Sequence, residues 1–318
     1  MKNNTEKMEI DLVYLWVDGN DPVWRAKKDA FTGNIPTNTA INCKGRYANN
    51  DELKYSLRSA EKYAPWIRKI YIVTDNQIPD WLNTENPRIK IIDHTEILPQ
   101  VSLPCFNSTV IEYFLYKIPG LSEHFLYSND DMFFNKPVQP NFFYAADGLP
   151  YIRLVYKPFR RLQWFWREKI RKKQPNQFRN SIANASKLIK NKYGKYFNGK
   201  PHHNIDAFLK SDCQNVVENI FKKEIEELLS LHIRSFNNIQ RVLLMYVALA
   251  EKRGHLRYVT VKKSYHAKYN NDSHFEKIEK HKPVLFCMND SEYVNDDARE
   301  KLKVWLSSYF PEKSEFEL

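Results

Sequence analysis

Glycine is scarce in this 318-residue chain, with eight in all. None of them builds a GxGxxG or GxxxxGK[ST] loop, which argues against the usual dinucleotide and P-loop phosphate sites. Phosphate chemistry here must rest on carboxylates, a metal and basic side chains. Long apolar runs are missing too: no uninterrupted stretch approaches the roughly 18 residues needed to span a bilayer. The first residues, Met1 to Glu9, are polar where a signal peptide is greasy. A soluble, cytoplasmic protein is expected. The four cysteines, Cys43, Cys105, Cys213 and Cys287, lie far apart, with no CxxC pair and no Cys/His spacing suited to zinc. They read as free thiols in a reducing compartment.

Acids are nearly absent from one stretch. Between Tyr151 and Lys200 about fifteen Lys and Arg face the single acid Glu168, so this segment carries about +14 and the rest of the chain about −3. The positive field therefore belongs to one segment rather than to the whole surface. Within it, Arg160 to Lys173 interleaves cations with Trp164, Phe165 and Trp166. Three functional readings compete: an anionic-lipid surface, a polyanionic polysaccharide acceptor, and nucleic acid. A solvated basic helix with one buried face is the bland reading. No single-strand-binding signature of an RRM or OB-fold is present.

What the chain does have is apolar material, 42% hydrophobic and 14% aromatic residues, enough for one large domain or a core with a subdomain. Ile10 to Val17 reads as a buried strand running into the turn Asp18-Gly19-Asn20-Asp21-Pro22. A helix follows from Asn50, a possible N-cap, with Leu53, Leu57, Ala60 and Ala64 at helical spacing until Pro65. Strands are expected at Lys69 to Thr74, Ile89 to Ile92 and His124 to Ser128, with a helix from Ser108 to Ile118. That order predicts an α/β sheet with carboxylates at its strand ends. Beyond Pro150 the pattern turns basic and helical, with helices over Val216 to Leu231 and Ile239 to Ala250. The sheet is expected to resume at Val284 to Met288, and Pro311 to Leu318 to be a surface extension.

Three apolar strands end in acidic turns: Asp18 and Asp21 after the first, Asn129-Asp130-Asp131 after the fourth, Asn289-Asp290 after the last. Ligands of open α/β sheets sit at the carboxyl ends of strands, so these groups can converge on one crevice. Each alone is more often a turn cap. Together they form an anionic nest suited to Mg²⁺ or Mn²⁺ bridging the diphosphate of a sugar nucleotide. Two adjacent carboxylates in LYSNDDMFF would repel each other without a metal or a base role to offset it. In KPHHNID an imidazole near Asp206 can take a proton from a hydroxyl. Arg234, in LHIRSF, either clamps a phosphate or pairs with Glu226 or Glu227.

These motifs resemble a known family. WVDGNDPVW, then RYANNDELKYSLRSAEKYAPWIRKIYIVTDNQIPDWLN with LPCFNSTVIEYFLYKIPGLSEHFLYSNDDMFF, are similar to the first two signature regions of the Stealth proteins. HHNIDAFLK with IRSFNNIQ resembles the third region, and FCMNDSEYVNDDAREKLKVWLSSYFPEKSEFEL the fourth. The family includes bacterial capsular polysaccharide phosphotransferases and the catalytic subunit of the animal enzyme that places N-acetylglucosamine-1-phosphate on lysosomal glycoproteins. The resemblance implies transfer of a sugar 1-phosphate from a UDP-sugar to an acceptor hydroxyl, with UMP as the leaving group. By motif match it implies Asp21, Asp131, His203 and Arg234 as catalytic residues and Asn289 and Asp290 as the metal-associated pair; a Mg²⁺ held by Asp290, with Asn289 and Asp130 assisting, is expected to bridge the diphosphate. Asp18, where relatives often carry Asn, joins Arg46, Asn107, Ser108 and Asn129 as expected substrate-binding residues.

Either His203 or Asp131 takes the acceptor proton. His203 is favoured because imidazole ordinarily titrates near neutral pH, whereas a carboxylate would have to be raised by several units. The fold implied is a Rossmann-like, glycosyltransferase-A-like nucleotide-sugar-binding core, with a helical subdomain inserted before the last core strand. The expected division is a core over 1–150, a basic, mainly helical acceptor or lid subdomain over 151–257, and a return to the core over 258–318. Expected partners are the UDP-sugar, a polyanionic oligo- or polysaccharide acceptor and the inner face of an anionic membrane, with no nucleic acid.

Overall fold

Strand β1 (Ile10–Leu15) is buried on both faces, and apolar but for Asp11, because it lies at the centre of a sheet covered on both sides. In the computed structural model, which describes residues 8–33, 45, 47–166, 170, 176–269, 271–291 and 293–318, with only the backbone at 160, 161 and 164, eleven strands form three sheets. β1 pairs in parallel with β2 (Ile70–Thr74) and with β4 (His124–Asn129), and β2 in parallel with β3 (Ile89–Asp93). β8 (Asp206–Leu209) closes the far edge antiparallel to β4, giving the order β3-β2-β1-β4-β8. The mixed α/β architecture with a parallel core agrees with the sequence. Arg46 and Cys43 lie outside the described residues.

Alternation along β1 divides the core. Val13 packs with Tyr71, Phe125 and Tyr127 beneath the apolar helix Val242–Ala250, while Leu12 and Tyr14 face the helix Glu52–Tyr63. That second helix starts later than its sequence implies. Asp51 takes a left-handed φ of 63°, and Asn50 spends its side-chain amide on the Glu52 carboxylate rather than on a cap.

The last apolar strand, β11 (Leu285–Asn289), does not rejoin the main sheet. It runs parallel to β10 (Ser264–Lys268) and antiparallel to β5 (Met132–Phe134), which leaves β4 through the Asp130-Asp131 turn. A third small sheet joins β6 (Tyr151–Tyr156), β7 (Gly199–Pro201) and β9 (His255–Tyr258). The stretch 151–257, expected to be mainly helical, thus also supplies four strands, one of them the edge of the main sheet.

Other differences are local. The expected helix over Val216 to Leu231 is instead a π-type turn at Val216–Ile220, continuing from a helix over Lys210–Asn215, and a short helix at Lys222–Glu226. The wide turn buries the neighbouring Val216 and Val217 together. Ser108 to Ile118 is helical only through Ile111 and then tightens to a 3₁₀ turn. The C-terminal residues are no surface extension: Phe316 is fully buried, Glu317 takes a bidentate pair from Arg58 at 2.8 and 2.7 Å, and the Leu318 amide donates to the Trp81 carbonyl. Among the described residues no helix is long and apolar enough to cross a membrane.

Candidate functional site

The β4–β5 turn lies where two sheets meet, and β11 runs beside it. Met288 donates its amide to the Asp131 carbonyl at 2.9 Å, fixing strand against turn. Side chains two apart on a strand share a face. Cys287 and Asn289 therefore both reach Asp131, the thiol donating to Oδ2 at 3.3 Å and the amide donating to the same oxygen at 3.2 Å. The other oxygen, Oδ1, is buried without a hydrogen-bond partner.

Charge at this junction is uncompensated. Glu52, Asp130 and Asp131 lie close together, and among the described residues no cation pairs with any of them. Burial pushes Glu52 up to about 7 and Asp131 up to about 6. Burial, with the neighbouring Glu52 and Asp131 charges, raises Asp130 well above the usual carboxylate range. Asp290 differs. Arg299 holds both its oxygens at 2.9 and 3.2 Å, and the Ser291 amide donates to it at 2.6 Å. A Cβ on Gly45 would collide with this carboxylate, so the chain passes Asp290 closely only because that residue is glycine.

His203 enters from the loop before β8 in a left-handed conformation, φ 55°, which costs a non-glycine residue on the order of 1 kcal/mol. Its Nε2 lies 3.5 Å from the Asn289 amide nitrogen, and its ring packs 4.9 Å from His266 and 6.3 Å from Phe178. The imidazole near Asp206 is that of His202. His202 Nε2 meets Asp206 at 2.7 Å, while Arg241 donates to the other Asp206 oxygen at 2.9 Å and stands 3.5 Å from Glu112. Tyr127 lies 3.1 Å from Glu112 and donates to Asn129 Oδ1 at 2.6 Å. This buried chain braces Asn129 just before the two aspartates.

Arg234 forms a second group. Its guanidinium donates to Ser108 at 2.7 Å, makes no ion pair with Glu226 or Glu227, and leaves NH1 buried without a partner. Asn107 holds the Arg234 loop by donating to the carbonyls of Leu231 and Ile233. A third group surrounds the first acidic turn: Gln77 donates to Asp21 Oδ2 and to the Asp18 carbonyl, both at 2.9 Å. Asp21 also caps the helix Pro22–Thr32, and these bonds, Gln77 first, hold its carboxyl below the usual range. Tyr47 links the groups, accepting from the Gly19 amide and donating to the Phe106 carbonyl.

The structure thus gathers Asp130, Asp131, Asn289, Asp290 and His203 in one cluster, with Arg234, Asn107 and Ser108 in another and Asp18 and Asp21 in a third. Reading the residues one by one misses Glu52, His266, Cys287 and Arg299. Glu52 carried a signal, an acid in the buried stripe of an amphipathic helix; the others carried none before β10 and β11 were paired. Beside His266 opens a cleft of about 960 Å³ lined by Lys268, Tyr269, His274 and Lys301.

Residues 8–36 match the family profile of Stealth protein CR1, conserved region 1, and residues 46–152 that of Stealth protein CR2, conserved region 2. The chain is 34% identical over 329 residues to the capsular polysaccharide phosphotransferase fcs1 of Haemophilus influenzae, covering 97% of this chain and 88% of that one. It is 32% identical over 337 residues to the exopolysaccharide phosphotransferase cps2G of Lactiplantibacillus plantarum, covering 97% and 96%. Among solved structures it is similar to the bifunctional glycosyltransferase WbbM, with TM-score 0.47 and 10% identity over 98% of this chain and 51% of that one. The galactosyltransferase LgtC with donor and acceptor sugar analogues gives a TM-score of 0.44 and 10% identity, over 94% and 95%.

Proposed function

The chain belongs to the Stealth family, and from that premise we propose that it transfers a hexose 1-phosphate or N-acetylhexosamine 1-phosphate from a UDP-sugar to a sugar hydroxyl. The product is a phosphodiester in a capsular or other cell-surface polysaccharide, and UMP leaves. The full-length relatives named as capsular and exopolysaccharide phosphotransferases support this class of reaction. The observation that carries it is the placement of His203 beside Asp131 and Asn289 at the junction of two sheets.

Mg²⁺ or Mn²⁺ fits this junction because its carboxylates lack a cation and Asp131 Oδ1 is buried without a partner. Asp130 and Asn289 would hold the ion, with Asp290 oriented by Arg299 and Asp131 alongside. When bound, such an ion neutralises the diphosphate and the charge gathering on the departing phosphate. His203 accepts the acceptor proton as the new O–P bond forms and the bond to UMP breaks. Asp131, raised toward neutrality by burial, orients His203 or shares that role. Arg234, steadied by Ser108 and Asn107, directs its unpartnered NH1 at the phosphoryl oxygens. Asp21 and Asp18 shape the donor end.

The test is the nucleotide released from a panel of UDP-sugars with an oligosaccharide acceptor. UMP is expected. UDP would instead mark a metal-dependent glycosyltransferase, which the same acidic strand ends would serve.

The basic segment is proposed to meet an anionic surface. Phe159, Leu162, Phe165, Trp166 and Ile170 are all exposed, in a stretch whose sequence is rich in Lys and Arg. Exposed apolar side chains between cations favour lipid headgroups over a purely polysaccharide track.

A further inference from the structure

Three soft-donor side chains meet beside the proposed reaction site. A ring nitrogen of His203, a ring nitrogen of His266 and Cys287 Sγ all lie within 4.8 Å of one another. They come from three elements: the loop before β8, β10 and β11. His266 and Cys287 are direct neighbours in the parallel register of β10 and β11, which is why residues 21 apart in sequence present donors to one point. We propose that this trio, with Asp131 as fourth ligand, binds one Zn²⁺-like divalent cation, and that this cation takes His203 away from its role as base.

The donor set decides the ion. Two imidazoles and a thiolate suit Zn²⁺ or Co²⁺, whereas Mg²⁺ and Mn²⁺ prefer the all-oxygen set of the Asp130 side. Asp131 lies outside the trio but touches its thiol through Oδ2 and keeps Oδ1 unpartnered, so its carboxylate can complete the set. His266 is exposed while Cys287 is fully buried, so the ion enters from the His266 side. Zinc bonds of about 2.3 Å to sulfur and 2.0 Å to nitrogen place tetrahedral ligand atoms roughly 3.5 Å apart. The three donor atoms, within 4.8 Å of one another, must draw together by about 1 Å to meet that spacing. As the Zn–S bond forms, the thiol proton leaves to solvent along its hydrogen bond to Asp131, and no redox change is involved.

The binding claim stands on the donors alone, and only its consequence for turnover rests on the function proposed above. The experiment titrates metal-free full-length protein with Zn²⁺ alone by calorimetry, and with Co²⁺ by absorption spectroscopy. One equivalent should bind, at least 100-fold tighter than Mg²⁺, and the Co²⁺ form should show a thiolate charge-transfer band in the near ultraviolet. Cys287→Ser should abolish that band, and the exposed-site variant His266→Ala should weaken Zn²⁺ binding at least tenfold. Circular dichroism checks that both remain folded; if Cys287→Ser does not fold, His266→Ala decides. A Co²⁺ spectrum without the band, or unchanged Zn²⁺ affinity in His266→Ala, overturns the site. In the UMP assay, Zn²⁺ should inhibit in the presence of excess Mg²⁺. A charge-transfer band without any UMP release would leave the site standing and remove the function.

Discussion

The side-chain amide of Asn289 donates to Oδ2 of Asp131 across 3.2 Å, joining the end of β11 to the turn between β4 and β5. Asn289 ends β11, Asp131 lies in the turn that carries the chain out of the main sheet into β5, and the two are 158 positions apart. Their bond locks the second sheet against the first at the point where the carboxylates gather, and it leaves Asn289 also beside His203.

Asn289→Ala removes that tether and strands a buried carboxylate. It should lower kcat roughly 10- to 100-fold, in line with the 1–3 kcal/mol typical of a lost charge-assisted hydrogen bond, with a smaller change in KM. Steady-state kinetics of UMP release checks it, and wild-type turnover would remove Asn289 from the site.

Metal removal addresses the oxygen-rich side. Excess chelator should abolish UMP release and Mg²⁺ or Mn²⁺ should restore it, while Asp130→Asn should cost at least 10³-fold with the fold intact. Full activity in chelator would refute the proposed ion.

Arg241 is buried between Asp206 and Glu112. Arg241→Leu leaves both carboxylates without their cation and should destabilise the protein by about 3–5 kcal/mol, read by urea denaturation. A loss below about 1 kcal/mol would mean that the network is dispensable for stability.

His94 is buried, 4.0 Å from Asp75, and desolvation lowers it from 6.5 to about 4 despite the Asp75 charge. Between those values the unfolded chain binds more protons than the native one. The neutral ring's contribution is therefore complete above about pH 6.5 and is lost as pH falls toward 4, by up to about 3 kcal/mol. His94→Gln does not titrate, so its stability relative to wild type should improve progressively from pH 7 to pH 4.5. A pH-independent difference in denaturation free energy would show that His94 protonates freely in the folded state.

Phe165→Ser with Trp166→Ser removes two exposed apolar side chains from the basic segment. Flotation with anionic vesicles should fall several-fold, and kinetics with a soluble acceptor should be unchanged. The reverse pattern would assign the segment to the polysaccharide.

Some of this protein was legible along the chain. β1, β2 and β4 could be read because central strands are apolar runs bounded by turn residues, and burial on both faces demands that composition, while the edge strand β3 shows through its short β-branched run before Asp93. The acidic strand ends and the family motifs were local as well, since each sits within a few consecutive residues. What the sequence could not state is which sheet β11 joins, because strand pairing depends on partners far apart in the chain and not on the strand's own pattern. That pairing brings one cysteine out of a set with no metal spacing, Cys287, to Asp131 and near His203 and His266. Tertiary structure also decides that His202, not His203, binds Asp206, for a left-handed φ at His203 sends two adjacent imidazoles to different neighbours. Residue types and turns were set locally. The raised carboxylates at the junction arose only from tertiary packing, since a group's charge is penalised by what covers it and not by what precedes it in the chain.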